Sequence, residues 1–290
     1  MAVTAKMVKE LREMTGAGMM DCKKALNETD GDMDAAIEFL RKNGEAKAVK
    51  KAGRIAAEGI VMLKVAEDGK KAVAVEVNAE TDFVAKNEKF QGYVADVAAQ
   101  ALNTTAADID AFLAEAWALD TTKTVKEALA AQIAVIGENM NIRRFEQVEE
   151  QNGFVASYIH AGGKIGVLVT FNVEGIDPAS DAFQKCGRDI AMQVAALNPV
   201  SATREDVPAD VTAHEMEIYK AQAAESGKPE AIQEKIALGR MDKFYKENCL
   251  AEQDFVKNPD LTVAQYADEC AKEMGGKIAI TGFVRFALGE

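Results

Sequence analysis

Hydrophobic residues recur at two different spacings along the chain, and the change between them divides it. In the N-terminal segment apolar side chains recur every three to four positions, which predicts helices. Met7, Leu11 and Met14 form one such stripe, and Thr4 before it is a residue that caps helices. From Gly59 onwards valines and isoleucines alternate with polar residues, which is typical of strands. The chain therefore begins with helices and continues into mixed α+β structure.

Three short helices fit the N-terminal segment. Gly16-Ala17-Gly18 breaks the first, the second covers about 19–28, and the third is expected to end before Asn43-Gly44. The basic residues between positions 47 and 54 are then expected to connect to the next domain. We predict a compact three-helix bundle with a basic linker over residues 1–54.

A first α+β half is expected over residues 55–148. Glu67-Asp68-Gly69 is a hairpin signal between two alternating segments. The expected elements follow the order hairpin, helices and closing strand: strands 60–65 and 71–78, a helix from about 87 to 102, further helix to about 134, and a strand near 139–148.

A second α+β half, residues 149–290, repeats this order, which suggests duplication. Its expected elements are strands 154–160 and 164–173, a helix over about 178–197 and a closing strand over 277–288. An insertion at about 208–248 predicts an antiparallel helical hairpin that turns at Ser226-Gly227-Lys228-Pro229. Its apolar stripe is narrow, so docking on a partner and packing only on itself are equally open.

Composition narrows the class of protein. The chain has 290 residues and a net charge of −13, which disfavours DNA or RNA as a direct partner. Its four cysteines show no C-x-x-C spacing, so no zinc or dithiol site is indicated and a reducing compartment is favoured. No apolar run is long enough to cross a membrane, and the N-terminus lacks the pattern of a targeting peptide. We expect a cytoplasmic protein.

No catalytic set of residues stands out. The two histidines, His160 and His214, lie in no motif with a nucleophile. Gly163-Lys164 resembles part of a phosphate loop, but Ile165 stands where Ser or Thr must bind magnesium. No metal site or cofactor is predicted, and the pattern favours a binding or regulatory protein.

The most informative segment is Thr81-Asp82-Phe83-Val84, called here the TDFV loop, which follows the second strand. A carboxylate next to a rigid aromatic can disturb a cation or phosphate site and separate packed side chains. The simpler interpretation is that Thr81 or Asp82 caps a helix and Phe83 lies in the core. From the loop alone, the simpler interpretation is favoured.

Five segments, in order and spanning nearly the whole chain, match the signatures of one protein family. They are residues 11–26, 81–86, 137–144, 162–169 and 281–286. On these segments the chain resembles the bacterial translation elongation factor Ts family.

The resemblance implies a fold and a function. The expected fold is a ubiquitin-associated-like bundle followed by two related α+β halves, with a coiled-coil hairpin inserted in the second. The expected function is guanine nucleotide exchange on elongation factor Tu, bound with GDP or nucleotide-free, in translation elongation. Such a protein is not an enzyme and needs no cofactor.

The resemblance also assigns roles to individual residues. Phe83 would wedge between helices of the partner's nucleotide domain, Asp82 would help to displace magnesium, and Thr81 and Val84 would hold the loop. The N-terminal bundle would contact the same domain through a basic and two apolar side chains: Arg12, Met19 and Met20.

Some assignments keep an alternative. Met19 and Met20 could instead pack in the bundle core. Ile142 could support the loop or fill the sheet core, and His160 could face the partner.

For the whole chain, two other functions remain open, an adaptor with a structural body and an enzyme with an unrecognised carboxylate site. Self-association through the second half is a further expectation.

Overall fold

The computed structural model describes residues 3–290, and its architecture is mixed α+β. N-terminal helices are followed by antiparallel sheets and further helices, as the spacing of apolar residues predicts. The chain divides into two compact units. The first unit comprises Met1–Lys64, Val75–Phe145 and Ala287–Glu290, and the second comprises Val65–Ala74 and Glu146–Phe286.

Three N-terminal helices open the first unit: α1 (Ala5–Thr15), α2 (Met19–Glu28) and α3 (Met33–Lys51). Thr4 caps α1 by accepting a hydrogen bond from the Met7 amide, and Gly16 ends α1 in the left-handed region. The apolar stripes of the three helices meet in a small core: Val8, Leu11, Cys22, Ala25, Leu26 and Ala36.

The prediction that the third helix ends before Asn43-Gly44 is wrong, because α3 continues to Lys51. Gly44 is buried, and a Cβ added there would lie 3.5 Å from the Cβ of Ala134. Gly44 therefore lies inside a helix, at a buried position that faces Ala134, rather than at a helix end. Lys47 lies within the helix, where its ammonium is 2.9 Å from Asp21.

The remaining segments up to residue 149 form a three-stranded sheet, a two-stranded hairpin and four helices. They are β1 (Glu58–Val65), β2 (Lys71–Ala79), α4 (Asp82–Ala85), α5 (Glu88–Asn103), α6 (Ile109–Ala114), β3 (Ala116–Trp117), β4 (Asp120–Thr124), α7 (Val125–Ile136) and β5 (Met140–Glu149). The sheet order is β1-β2-β5, which places the predicted hairpin beside its predicted closing strand. The expected helix up to about 134 is interrupted by β3 and β4. A new helix, α7, begins after Thr124, whose side chain and backbone form a capping box with Glu127.

The chain from residue 153 onwards contains a second three-stranded sheet, a second small hairpin and four helices. They are β6 (Gly153–His160), β7 (Ile165–Glu174), α8 (Asp181–Leu197), α9 (Ala209–Ala224), α10 (Glu230–Asn248), β8 (Asp254–Phe255), β9 (Asn258–Thr262), α11 (Val263–Met274) and β10 (Lys277–Ala287). The sheet order is β10-β7-β6, and β6 pairs antiparallel with β7 from Gly153 opposite Asn172 to His160 opposite Ile165. Helix α11 and hairpin β8–β9 were not anticipated.

The expected helical hairpin is present as α9 and α10. Its root has a separate apolar cluster of four buried residues: Val207, Met241, Phe244 and Cys249. Arg204 fastens this root through Asp242 at 2.9 Å and through Glu252, and its guanidinium lies 4.7 Å from the centre of the Tyr245 ring. The hairpin is therefore anchored by its base.

The two small hairpins share one register. In β3–β4, Ala116 pairs with Thr124 and Trp117 with Asp120, with an irregularity between the first two residues. In β8–β9 the corresponding pairs are Asp254 with Thr262 and Phe255 with Asn258, with the same irregularity. Each hairpin runs directly into a helix whose capping threonine takes part in a capping box.

Candidate functional site

The TDFV loop forms the short helix α4, which follows strand β2 directly. Thr81 is its N-cap, and the Thr81 hydroxyl accepts a hydrogen bond from the Val84 amide at 3.3 Å. Ala85 is buried, and its carbonyl accepts a hydrogen bond from the Gln91 side chain in α5. The prediction that Thr81 caps a helix is confirmed.

Phe83 points into solvent. Its side chain is 81% exposed, so the interpretation that Phe83 is a core residue is wrong. Large aromatic side chains are usually at least partly buried, because leaving one in water forgoes about 1.5–3 kcal/mol. Among the described residues, Phe83 is one of the few large apolar side chains that are more than four-fifths exposed.

Asp82 lies beside Phe83 in the first turn of α4. The Lys86 ammonium donates a hydrogen bond to the Asp82 carboxylate at 2.7 Å, and both side chains are largely in contact with water. This hydrogen bond and the charge of Asp82 raise the pKa of Lys86. A surface ion pair of this kind is weak, so the carboxylate can exchange Lys86 for another cation at little cost.

Glu138 holds the beginning of the loop. It lies between α7 and β5, and one of its carboxylate oxygens accepts the Thr81 amide at 3.0 Å. The other oxygen accepts the Thr81 hydroxyl at 2.7 Å. Sequence reasoning assigned no role to Glu138, although it falls within the signature at residues 137–144.

A second set of polar contacts joins the neighbours of this pair, Glu80 before Thr81 and Asn139 after Glu138. The Asn139 amide donates to the Glu80 carboxylate, and this bond lowers the pKa of Glu80. The Asn139 side chain donates to the Arg54 carbonyl at 2.8 Å, and the Arg54 guanidinium is 3.4 Å from Glu80. The start of the loop, the end of α7 and the chain after α3 are thus tied together.

The predicted N-terminal site residues lie on the surface of the bundle. Arg12 is exposed on α1, and Met19 and Met20 at the start of α2 are 56% and 74% exposed. The alternative that these two methionines pack in the core is therefore wrong. Exposed methionines adapt to irregular surfaces, which suits a binding face.

The two remaining predicted residues differ in exposure. Ile142 is buried within β5, where it fills the core of the first unit. His160 is exposed at the end of β6 in the second unit, and its Nδ1 is 2.9 Å from the Tyr158 hydroxyl. Only His160 is therefore available for direct contact in this conformation.

The described residues, 3–290, contain no cluster of three or more His, Cys, Asp or Glu side chains that could hold a metal ion. Within the same range, no helix is both long and apolar enough to span a bilayer.

The fold and the loop define a class of protein: a mixed α+β binding protein that presents an exposed aromatic side chain on a capped helical turn. A family model described as Elongation factor TS matches residues 80–290. Elongation factor Ts of Clostridium tetani is 53% identical over 288 residues, covering 99% of this chain and 94% of that protein. The corresponding protein of Trichlorobacter lovleyi is 52% identical over 291 residues, with coverages of 100% and 94%. That of Clostridium perfringens is 51% identical over 288 residues, with coverages of 99% and 93%.

The chain belongs to the elongation factor Ts family. It is a non-catalytic factor that exchanges nucleotide on elongation factor Tu during translation elongation in the cytoplasm. This membership overturns the two other functional interpretations, a structural adaptor and an enzyme with a carboxylate site.

Proposed function

We propose that the TDFV loop is the part of this chain that opens the magnesium and phosphate site of elongation factor Tu. The observation that carries the proposal is the 81% exposure of Phe83 on a turn that is fastened at both ends. Phe83 enters between helices of the partner's nucleotide domain, and Asp82 helps to displace the magnesium ion. Thr81 and Val84 hold the turn in shape.

A loop of this kind can supply much of the binding free energy that is needed to loosen GDP. Loosening GDP a thousandfold needs about 4 kcal/mol of binding that is realised only when the nucleotide site is open. Burying one exposed Phe contributes about 1.5–3 kcal/mol. Because the turn is already ordered, little of this is lost in immobilising it.

The direction of coupling follows from linkage. The factor binds the nucleotide-free partner more tightly than the GDP-bound partner, so it promotes GDP release and GTP rebinding displaces it. No covalent step is involved, because GDP is held by hydrogen bonds, a lysine and magnesium.

Arg12, Met19 and Met20 form a second contact with the same nucleotide domain. Their exposure on α1 and α2 supports this role. Ile142, being buried in β5, contributes only by packing in the core, and His160 contributes a polar contact from the second unit. The partner concentration at half-maximal exchange rate, measured for a Met19→Ala/Met20→Ala variant, tests the N-terminal face.

Replacing Phe83 tests the loop directly. Phe83→Ala is expected to slow release of fluorescent GDP from elongation factor Tu by ~30-fold or more, in line with the burial of one Phe. The measurement uses catalytic amounts of the factor. The thermal midpoint of the free factor should be unchanged, because the ring has few neighbours to lose.

Leu119→Ala is the matched control, since Leu119 is 69% exposed in the same unit but outside the loop. It should exchange at the normal rate. If folded Phe83→Ala also exchanges normally, Phe83 is not the wedge.

The finer organisation also belongs to the proposal. The domains are a ubiquitin-associated-like bundle with linker (1–54), a first half (55–148) and a related second half (149–290). The shared register of β3–β4 and β8–β9 supports the relation between the halves. Separate expression of residues 1–54 tests whether the bundle folds alone.

Self-association through the second half stays a prediction. Ile232 and Leu238 on α10 are exposed apolar side chains that support a contact surface on the inserted coiled-coil hairpin. Light scattering of the free factor and of its complex distinguishes a monomer and simple heterodimer from a doubled assembly.

A further inference from the structure

Helix α4 lacks the local partner that completes the caps of two other helices. In α7 the Thr124 amide is accepted by Glu127, three residues further on, and in α11 Gln265 does the same for Thr262. Both are reciprocal capping boxes. In α4 the third residue after the cap is Val84, whose side chain cannot accept a hydrogen bond.

Glu138 supplies the missing acceptor from 57 positions further along the chain. It accepts both the Thr81 amide and the Thr81 hydroxyl, while that hydroxyl oxygen accepts the Val84 amide. The capping box of α4 is therefore complete, but its acidic member comes from the connection between α7 and β5. Position 84 is thereby free to be apolar.

The short length of α4 makes this cap important. The helix has four residues, and a single helical turn is unstable by itself because the hydrogen bond that it forms does not offset the entropy lost in ordering its residues. Three side chains of that turn remain largely or partly exposed, and Ala85 alone is buried. Contacts at the ends must therefore hold it.

Glu138 also fixes where the turn stands. Gly137 before it ends α7 in the left-handed region, and its carbonyl accepts a hydrogen bond from the Lys51 ammonium. Asn139 after it donates to Glu80. The carboxylate that caps α4 is thus held in place on both sides.

We infer that Glu138 is a positioning residue for nucleotide exchange: it pre-orders the TDFV loop so that Phe83 and Asp82 meet the partner in their working conformation. The inference rests on the proposed function of that loop. Glu138 acts by holding Thr81 in place through its two hydrogen bonds, and it needs no contact with elongation factor Tu.

The test compares five variants of the factor in the GDP-release assay: two at Glu138, a control at Glu115, and Asp82→Ala/Phe83→Ala with and without Glu138→Ala. Glu138→Ala should lower the maximal exchange rate about tenfold. Loss of a helix cap shifts the equilibrium between the ordered and disordered turn by about this factor. Glu138→Gln keeps an oxygen for the Thr81 amide and should stay within about threefold of the unchanged factor. The partner concentration at half-maximal rate should change less than the maximal rate.

Glu115→Ala is the matched control. Glu115 accepts a hydrogen bond from Thr104 at the opposite end of α5, so its loss breaks a similar threonine–glutamate pair in the same unit. Its thermal midpoint should fall at least as far as that of Glu138→Ala, while its exchange rate stays normal.

A variant that lacks the Asp82 and Phe83 side chains distinguishes positioning of these side chains from a general loss of stability. In an Asp82→Ala/Phe83→Ala variant, adding Glu138→Ala should slow exchange by less than about twofold further, because the positioned side chains are gone. A full tenfold effect in that background would overturn the inference, and so would a normal rate for Glu138→Ala alone. If Asp82→Ala/Phe83→Ala itself exchanges normally, the proposed function of the loop fails first.

Discussion

At the scale of single residues, the carboxylate of Glu76 is a fully buried charge in the first unit. It lies in β2 with no exposed surface. It accepts four hydrogen bonds, from Arg143 at 2.9 Å, Arg144 at 2.7 Å, Asn78 at 3.1 Å and the Gly289 amide at 3.1 Å. Burial alone would raise the pKa of Glu76, but these hydrogen bonds outweigh it and lower the pKa.

The lowered pKa predicts how stability depends on pH. The Glu76 carboxylate contributes its full stabilisation above its unfolded pKa of about 4.3, and loses it as pH falls through the lower folded pKa. Glu76→Gln should cost about 2–4 kcal/mol at pH 7, because two guanidinium groups lose their partner. The cost should shrink below pH 4. Urea unfolding followed by Trp117, the single tryptophan, reports on this unit.

The control for this prediction is Glu67→Gln, at an exposed turn position. It should leave the unfolding midpoint unchanged at both pH values. If Glu76→Gln and the unchanged protein had equal urea midpoints at pH 7, the four hydrogen bonds would make no net contribution to the free energy of unfolding.

At this scale the sequence predicted exposure poorly. The position of the TDFV loop was recognised from its motif, but the general tendency of Phe to be buried pointed the wrong way for Phe83. The role of Glu138 could not be found from spacing, because its partner Thr81 is distant along the chain. The available signal was a capping threonine without Glu or Gln three residues later.

At the scale of elements, some helix ends were predicted well, but the starts of α7 and α11 were missed although each has a local capping box. Helix α2 has the expected bounds, and α5 (Glu88–Asn103) lies within one residue of the helix expected at about 87–102. Gly44 misled the prediction for α3, because a glycine inside a helix and a glycine that ends one look alike in sequence. Hairpin β8–β9 was missed because strands of two to five residues carry no measurable periodicity.

Two helical glycines should respond in opposite ways to the same substitution. A Cβ added at Gly187 in α8 would lie 2.7 Å from the Cβ of Ala156 in β6, so Gly187→Ala should destabilise the second unit by about 1–3 kcal/mol. Gly239 in α10 has nothing within 4 Å of an added Cβ. Gly239→Ala should therefore stabilise the hairpin by up to about 1 kcal/mol. Calorimetric midpoints of both variants check the two signs, and a raised midpoint for Gly187→Ala would contradict the close helix–sheet packing.

At the scale of the whole molecule, the order of elements was the most predictable property. The alternation of strand and helix spacing predicted the strands that form both three-stranded sheets and the inserted helical hairpin, but not the order of the strands in each sheet. The division of the chain into units was less accessible. Residues Val65–Ala74 belong to the second unit and Ala287–Glu290 to the first, although sequence order suggests otherwise.

The C-terminal residues should therefore matter for the first unit. Arg144 donates to the Ala287 carbonyl at 3.0 Å, and the Gly289 amide donates to Glu76. Removing residues 287–290 takes away both contacts and should lower the stability of the first unit by about 1–3 kcal/mol. Trp117 fluorescence in urea measures the change, and an unaltered midpoint would rule out a structural role for the tail.

Shortening the chain only by Glu290 provides the comparison, because it leaves Ala287 and Gly289 in place. That variant should unfold close to the midpoint of the intact chain.

The contact between Gly289 and Glu76 also bears on how this protein is made. Glu76 is synthesised early, but one of the amides that compensates its burial belongs to Gly289, 213 positions further along the chain. The Gly289 amide can reach Glu76 only after Gly289 has been synthesised and has left the ribosome's exit tunnel. The hydrogen bonds of the sheet that carries the TDFV loop are therefore complete only after almost all of the second unit has been translated.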